Sequence, residues 1–96
     1  MLLHTLNAPP SSSAFADCLH ILAPGDALVL MGDGVYAALG GTQAAARLQS
    51  SGAELYLLQP DAAVAGVLPD SDFARVLDIE GLVALTERFE RQLAWY

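Results

Sequence analysis

The chain contains no lysine, and its four basic residues stand against eleven acidic ones, which gives a formal net charge of −7. Phosphate backbones are held mainly by lysine and arginine side chains. An acidic chain without lysine is therefore a poor candidate for direct nucleic-acid binding. The partners that such a surface predicts are other proteins or a small molecule.

Cysteine is nearly absent as well. Cys18 is the only one, so the chain cannot form an internal disulfide bond, and a lone thiol is typical of proteins in reducing compartments. No apolar run approaches the roughly 20 residues that a bilayer-spanning helix needs. The amino-terminal residues lack the basic-then-apolar layout of a secretory signal. We therefore expect a cytoplasmic protein without a membrane partner.

Hydrophobic residues, by contrast, make up 54% of the 96 residues. A chain of this length forms one small domain, which we place at residues 1–96. Because a small domain has much surface for its volume, so many apolar side chains are difficult to bury within a monomer. We expect some of them to face another subunit, so that the protein is an oligomer.

Apolar runs alternate with helix-like segments along the chain. The run at residues 28–31 (Leu-Val-Leu-Met) has the composition of a strand that is buried on both faces. Alternation of this kind on short connections predicts right-handed βαβ units. The expected fold is α/β, with a small open, mainly parallel sheet of four to five strands and helices on both faces.

The predicted strands are Met1–Leu6, Ala27–Met31, Glu54–Leu58 and Arg75–Ile79, with a fragment of a fifth at Trp95 and Tyr96. Helical segments are predicted at residues 13–22, 35–39, 43–49 and 61–65 and from Glu80 to Leu93, with a loop at residues 66–72. The expected helix caps are a serine among residues 11–13, Asp33 and Thr42.

The segment Gly32-Asp33-Gly34 follows the buried run, and so falls at the carboxyl end of a strand, where open parallel sheets build their sites. It resembles a phosphate loop only superficially, because it lacks both the GxGxxG pattern and the P-loop lysine. The simpler interpretation is a strand-to-helix turn in which glycine supplies unusual backbone angles and Asp33 caps the helix. Neither nucleotide fingerprint is met, so we expect no cofactor.

Cys18 is the one candidate catalytic residue, as the site of a persulfide. A thiol near the start of a helix is activated because the helix dipole lowers its pKa. The alternative is a small buried hydrophobic residue, because Cys18 shares a predicted helical face with Phe15, Leu19 and Leu22. Its position about a turn and a half into the helix weakens the dipole argument, so we favour burial while both interpretations stay open.

His4 lies in the first predicted strand, either as a ligand or proton carrier or, as we favour, as a structural hydrogen-bonding group. Neither His4 nor His20 has a cysteine or carboxylate at metal-ligand spacing, so we expect no metal site. Trp95 is expected to pack on the core or in an interface, because an exposed terminal aromatic side chain is costly. The scattered carboxylates interpreted as a solvated rim are Asp70, Asp72 and Asp78.

Three further segments together indicate a protein family, because of their order and spacing. They are Leu3–Asn7 (Leu-His-Thr-Leu-Asn), Asp33–Ala38 (Asp-Gly-Val-Tyr-Ala-Ala) and Gln92–Trp95 (Gln-Leu-Ala-Trp), with shorter matches at residues 56–58, 65–67 and 83–86 between them. Together they resemble the TusB/DsrH family of sulfur-relay proteins (DsrE/F/H-like). The resemblance covers essentially the whole chain.

The resemblance implies an accessory subunit of a sulfurtransferase complex that passes persulfide sulfur towards 2-thiolation of the tRNA wobble uridine. It implies a heterohexamer with TusC/DsrF-like and TusD/DsrE-like subunits, the latter carrying the main sulfur-accepting cysteine. Similar proteins of the Dsr branch serve oxidative sulfur metabolism, and Cys18 matches a cysteine that DsrH-like members tend to carry. A third hypothesis, from the fold alone, is a homo-oligomeric module that binds a small ligand.

Overall fold

The structure of the protein is a computed structural model that describes residues 1–67 and 74–96. Within these ranges, strands and helices alternate along the chain. The strands are β1 (Leu2–Leu6), β2 (Ala27–Leu30), β3 (Glu54–Leu58), β4 (Arg75–Leu77) and β5 (Arg91–Trp95). The α-helices are α1 (Ser13–Ile21), α2 (Gln43–Ser50), α3 (Gln59–Ala65) and α4 (Ile79–Arg88), and a 3₁₀ helix spans Gly32–Ala38.

The strands form one sheet in the order β4-β3-β2-β1-β5, and every neighbouring pair is parallel. Strands β2, β3 and β4 follow one another on one side of β1, and β5 pairs with β1 on its other side. In this register Leu3 lies beside Ala27 of β2 and Gln92 of β5. The predicted open α/β fold is confirmed, with five strands.

The two faces of the sheet are covered unequally. On one side, which we call the multi-helix face, α1, α2, α3 and the 3₁₀ helix pack over a core that includes Leu28, Leu30 and Leu57. On the other side, the single-helix face, Leu85 and Phe89 of the α4 segment cover the sheet. Helices therefore lie on both faces, as predicted, but four of the five described helices lie on one of them.

Two of the predicted helix caps are observed. The Ser12 side chain accepts a hydrogen bond from the Phe15 N–H at 3.2 Å, and Thr42 does the same for Ala45 at 3.2 Å. These bonds satisfy amide groups that the first turn of a helix leaves without a partner inside the helix. They explain why α1 and α2 begin at the predicted positions.

The predicted last helix, Glu80 to Leu93, is wrong in its carboxyl-terminal part. The helix ends at Arg88, because Phe89 takes an extended backbone (φ −112°, ψ 129°). Leu93 follows Phe89 by a helical spacing of four residues, yet it lies in β5. Pairing with the edge of β1 satisfies the backbone groups of this segment. The predicted fifth strand therefore exists, and is longer than the expected fragment.

The fourth strand is shorter than the predicted Arg75–Ile79. It ends at Leu77, because the Asp78 carboxylate caps α4 by accepting a hydrogen bond from the Gly81 N–H at 2.7 Å. Most of the predicted loop at residues 66–72 lies outside the described residues. The same holds for the rim carboxylates Asp70 and Asp72.

The outer surface of α4 carries large apolar side chains. Ile79 is 56% exposed and Val83 is 52% exposed, one helical turn apart. We expected contact with another subunit from the high apolar content of this small chain, and these exposed side chains fit that expectation; the oligomer stays a prediction. No helix in residues 1–67 or 74–96 has the length and apolarity that crossing a membrane requires.

Candidate functional site

The structure places Cys18 in the core of the multi-helix face. Its side chain is 1% exposed and lies in one cluster with Phe15 and Leu22, while Leu19 packs against that cluster. The helical face predicted from the spacing is therefore observed. His20, two residues further on, is exposed and lies outside the core.

Burial also governs the chemistry of the Cys18 thiol. Loss of hydration raises its pKa from 9.0 to about 11, because apolar surroundings stabilise a thiolate poorly. At neutral pH only about one thiol in ten thousand is then ionised, and the thiolate is the nucleophilic form. Within the single chain Cys18 has the properties of a small apolar core residue. Its role as a persulfide site stays a prediction, and it requires the thiol to become accessible.

A cleft of about 180 Å³ opens at the carboxyl ends of β2 and β3, between the 3₁₀ helix and α3. We call it the carboxyl-edge cleft. Its lining residues are Gly32, Asp33, Tyr36, Asp61, Val64 and Ala65. The sequence predicted that the Gly-Asp-Gly segment lies at the end of a buried strand, and the structure brings that segment to the wall of this cleft.

Both glycines of the segment are required by the geometry. Gly32 has a φ of +52°, and a Cβ at this position would overlap the side chain of Asn7. A Cβ on Gly34 would overlap the carbonyl oxygen of Leu6. The segment is thus a tight turn against the end of β1, as the simpler interpretation predicted.

The predicted capping role of Asp33 is wrong. Met31 occupies the N-cap position without a side-chain bond, and the Gly34 N–H donates to the Met31 carbonyl oxygen at 2.9 Å. Because the backbone satisfies this amide, the carboxylate of Asp33 stays exposed in the cleft. The Asp61 carboxylate instead accepts a hydrogen bond from the Gly32 N–H at 2.8 Å. Among the described residues no group of three or more His, Cys, Asp or Glu side chains is arranged to hold a metal ion.

A second polar feature is buried and joins β1, β5 and the turn before β2. His4 Nε2 lies 3.0 Å from Asp26 Oδ2, and the Trp95 indole N–H donates to His4 Nδ1 at 3.1 Å. Because an indole N–H only donates, Nδ1 accepts and Nε2 carries the ring proton that is donated to Asp26. The structural interpretation of His4 is confirmed, and so is the packing of Trp95 on the core.

Asp26 lies at the centre of this network. Beside the His4 bond, its carboxylate accepts hydrogen bonds from the Leu2 N–H at 2.9 Å and the Ala23 N–H at 3.1 Å. Burial acts to raise the pKa of Asp26, but these three hydrogen bonds to the charged form outweigh it and hold the pKa below its ordinary value of 3.8. With His4 0% and Asp26 4% exposed, the network is a structural link between three segments.

Sequence reasoning missed the roles of Asp26 and Asp61, because it assigned no side-chain role to Asp26 and placed Asp61 only at the start of a short helix. One signal was present for Asp26. A histidine inside one apolar strand and an acid directly before the next form a pair of polar residues in segments that lie side by side in a parallel sheet. Asp61 carried no comparable signal, because its bond reaches across 29 residues to a backbone amide.

Comparison with known proteins gives similarities over the full length. The family model for DsrH-like proteins matches residues 8–92. Protein TusB of Pectobacterium parmentieri is 39% identical over 95 residues, which cover 98% of this chain and 100% of the relative. Protein TusB of Escherichia coli strain K12 is 34% identical over 95 residues, with the same coverage of both chains.

Two solved structures share the fold. The ychN protein from E. coli superposes with a TM-score of 0.73 at 20% identity, over 98% of this chain and 97% of that one. Protein Tm0979 from Thermotoga maritima superposes with a TM-score of 0.64 at 17% identity, over 94% and 95% of the two chains. At such identities the likeness concerns the fold alone.

Proposed function

The chain belongs to the DsrH-like family, and from this membership we propose that it is a TusB-like subunit of a sulfur-relay complex. That complex passes persulfide sulfur towards 2-thiolation of the wobble uridine of tRNA. One observation carries the proposal. The chain and the relatives named TusB correspond over 98% of the one and 100% of the other, so no separate domain accounts for the match.

We assign this subunit an accessory role in the relay. Its one thiol is buried and has a raised pKa, which disfavours a nucleophile in the single chain. Its surface is acidic and lacks lysine, which disfavours direct contact with tRNA. A subunit that holds the complex together needs neither property.

The partners of the proposal are TusC/DsrF-like and TusD/DsrE-like subunits, in a cytoplasmic heterohexamer. We assign the single-helix face to these subunits. Support comes from Ile79 and Val83, whose apolar side chains are exposed on the only described helix of that face. Subunit interfaces of permanent complexes are rich in such residues.

The test is deletion of the gene, followed by measurement of 2-thiouridine in bulk tRNA by mass spectrometry of nucleosides. We expect 2-thiouridine to fall in the deletion strain and to return when the full chain is supplied. The tagged chain should co-purify with two related small proteins, in equal amounts. Normal 2-thiouridine after deletion, or a tagged chain that purifies as a homo-oligomer, contradicts the proposal, and the second result favours a ligand-binding module.

A second candidate is a DsrH-like carrier in which Cys18 accepts and donates sulfane sulfur. It is favoured by the match to the DsrH-like family together with the presence of Cys18. Incubation of the purified complex with a persulfide donor tests it, since a carrier gains the mass of sulfur on this subunit. The Cys18→Ala variant should lose that mass gain while the complex still assembles. If the wild-type subunit gains no mass, this candidate is wrong.

A further inference from the structure

The carboxyl-edge cleft combines apolar and acidic groups on the multi-helix side of the sheet. Tyr36 on the 3₁₀ helix is 40% exposed and Val64 on α3 is 91% exposed, and both line the cleft. A valine with so much exposure gains little within the chain, so its apolar surface is available to a partner. The exposed carboxylate of Asp33 lies beside these side chains.

Charge is distributed unevenly between the two edges of the sheet. Acidic residues follow β2, β3 and β4 directly and so lie at the carboxyl edge; they are Asp33, Asp61, Asp78 and Glu80. The opposite edge carries both signs of charge: Arg75 and Arg91 are the first residues of β4 and β5, and the acidic residues at or directly before the strand starts are Asp26, Glu54 and Glu90. Positive and negative charges are therefore mixed at the amino edge, whereas the charged residues named at the carboxyl edge are all acidic.

The two remaining arginines are held elsewhere. The Arg88 guanidinium donates to the Glu54 carboxylate at 3.0 Å, at the start of β3. Arg47 lies on α2 with its guanidinium 5.9 Å from the centre of the Phe15 ring. None of the four arginines lines the cleft, and the chain has no lysine.

We propose that the carboxyl-edge cleft binds a positively charged segment of a different protein, with an apolar side chain of that segment packed between Tyr36 and Val64. Charge complementarity decides the occupant, because unlike charges attract and like charges opposed across an interface are costly. A second copy of this chain carries the same net charge of −7 and is disfavoured. This inference goes beyond the proposed function, which assigns partners to the single-helix face.

The test places the photo-cross-linker p-benzoylphenylalanine at position 64 of the full chain in its native cells, with the same residue at position 83 as the control on the other face. Cross-linked peptides are identified by mass spectrometry. We expect position 64 to capture a segment of another protein in which lysine and arginine outnumber acidic residues. Capture of this chain itself, of a neutral or acidic segment, or of nothing overturns the proposal.

Charge reversal then tests the cause of binding. Asp33→Arg should lower the cross-link yield about tenfold, whereas Glu90→Arg, with the same charge change at the opposite edge, should leave it within about twofold. If Asp33→Arg fails to fold, Asp33→Asn should still lower the yield about threefold. Equal yields in the Asp33 and Glu90 variants overturn the proposal. Co-purification of the sister subunits from the same cells is scored separately, so failure of the proposed function is seen on its own.

Discussion

The two faces of the sheet differ in how many helices cover them and in how large a core they bury. The multi-helix face buries leucines of three central strands, Leu6, Leu28 and Leu57, under several helices, and these side chains are fully inaccessible. The single-helix face has a smaller cluster under α4, whose outer side exposes Ile79 and Val83. The multi-helix face therefore encloses the larger core, although Tyr36 and Val64 on its helices stay exposed, whereas the single-helix face leaves Ile79 and Val83 exposed over a smaller cluster.

Two buried side chains, Cys18 and Asp26, also differ in their chemistry. Burial of the Cys18 thiol among apolar side chains raises its pKa to about 11, which disfavours the thiolate in the single chain. The carboxylate of Asp26 is also buried, but hydrogen bonds favour its charged form. Burial alone does not predict the chemistry of a group, because its partners decide which protonation state is stabilised.

Truncation of one core leucine on each face compares how well the two faces are packed. Leu57→Ala should lower the free energy of unfolding by about 4 kcal/mol, because it removes a side chain enclosed by helices and strands. Leu85→Ala, its match on the single-helix face, should cost about 2 kcal/mol, since α4 can settle onto the smaller side chain. Urea unfolding followed by circular dichroism measures both. Equal losses would show that the faces are equally well packed.

Asp26→Asn should lower the free energy of unfolding by about 2 kcal/mol. An asparagine has one acceptor oxygen where three donors converge, so at least one buried N–H loses its partner. Asp33→Asn is the matched control at an exposed carboxylate, and should change stability by less than about 0.5 kcal/mol. If the two variants unfold at the same urea concentration, the buried network contributes nothing.

The same carboxylate predicts a pH dependence. The pKa of Asp26 is lower in the folded protein than the ordinary value of 3.8, so its contribution is complete above that pH and is lost as the pH falls through the folded-state pKa. The wild-type chain should therefore lose stability below about pH 4 more steeply than Asp26→Asn. Unfolding curves at several pH values measure the difference. Parallel losses in both proteins would contradict it.

A lysine on the outer side of α4 tests whether the single-helix face contacts the sister subunits. Val83→Lys replaces an exposed side chain on α4, between Glu80 and Glu87, and should change the free energy of unfolding by less than about 0.5 kcal/mol. Recovery of the sister subunits should nevertheless fall about tenfold, because a charge would enter an apolar interface. Ala46→Lys, at an exposed position of α2 away from the carboxyl-edge cleft, is the control and should leave recovery unchanged. Normal recovery with Val83→Lys would remove the single-helix face from the proposed interface.

Much of the fold could be predicted from local sequence. The predictions that were wrong or missing share a common cause. The caps Ser12 and Thr42 and the apolar run of β2 act within a few residues, and all were predicted correctly. The boundary between α4 and β5 was not, because Leu93 fits a helical spacing while the edge of β1, far away in sequence, selects the strand. Asp26 was missed for the same reason, since its partner His4 lies 22 residues away.

For the candidate site, sequence located the turn and missed the cleft. Glycine at positions 32 and 34 signals tight backbone, which the structure confirms. The approach of α3 to the 3₁₀ helix, which brings Val64 beside Tyr36, depends on tertiary packing. No spacing within either segment encodes that approach.

The pairing of β5 with β1 has a consequence for how the protein is made. The ribosome delivers residues 2–6 early and residues 91–95 late, and the Trp95–His4 bond spans 91 positions. Until translation reaches that point, a nascent chain presents an open strand edge and a histidine without its indole donor. Closing so long a loop is slow, so the last strand should dock after the rest has condensed. During that interval the unfinished sheet is open to wrong pairing, which is the stage at which a chaperone would matter most.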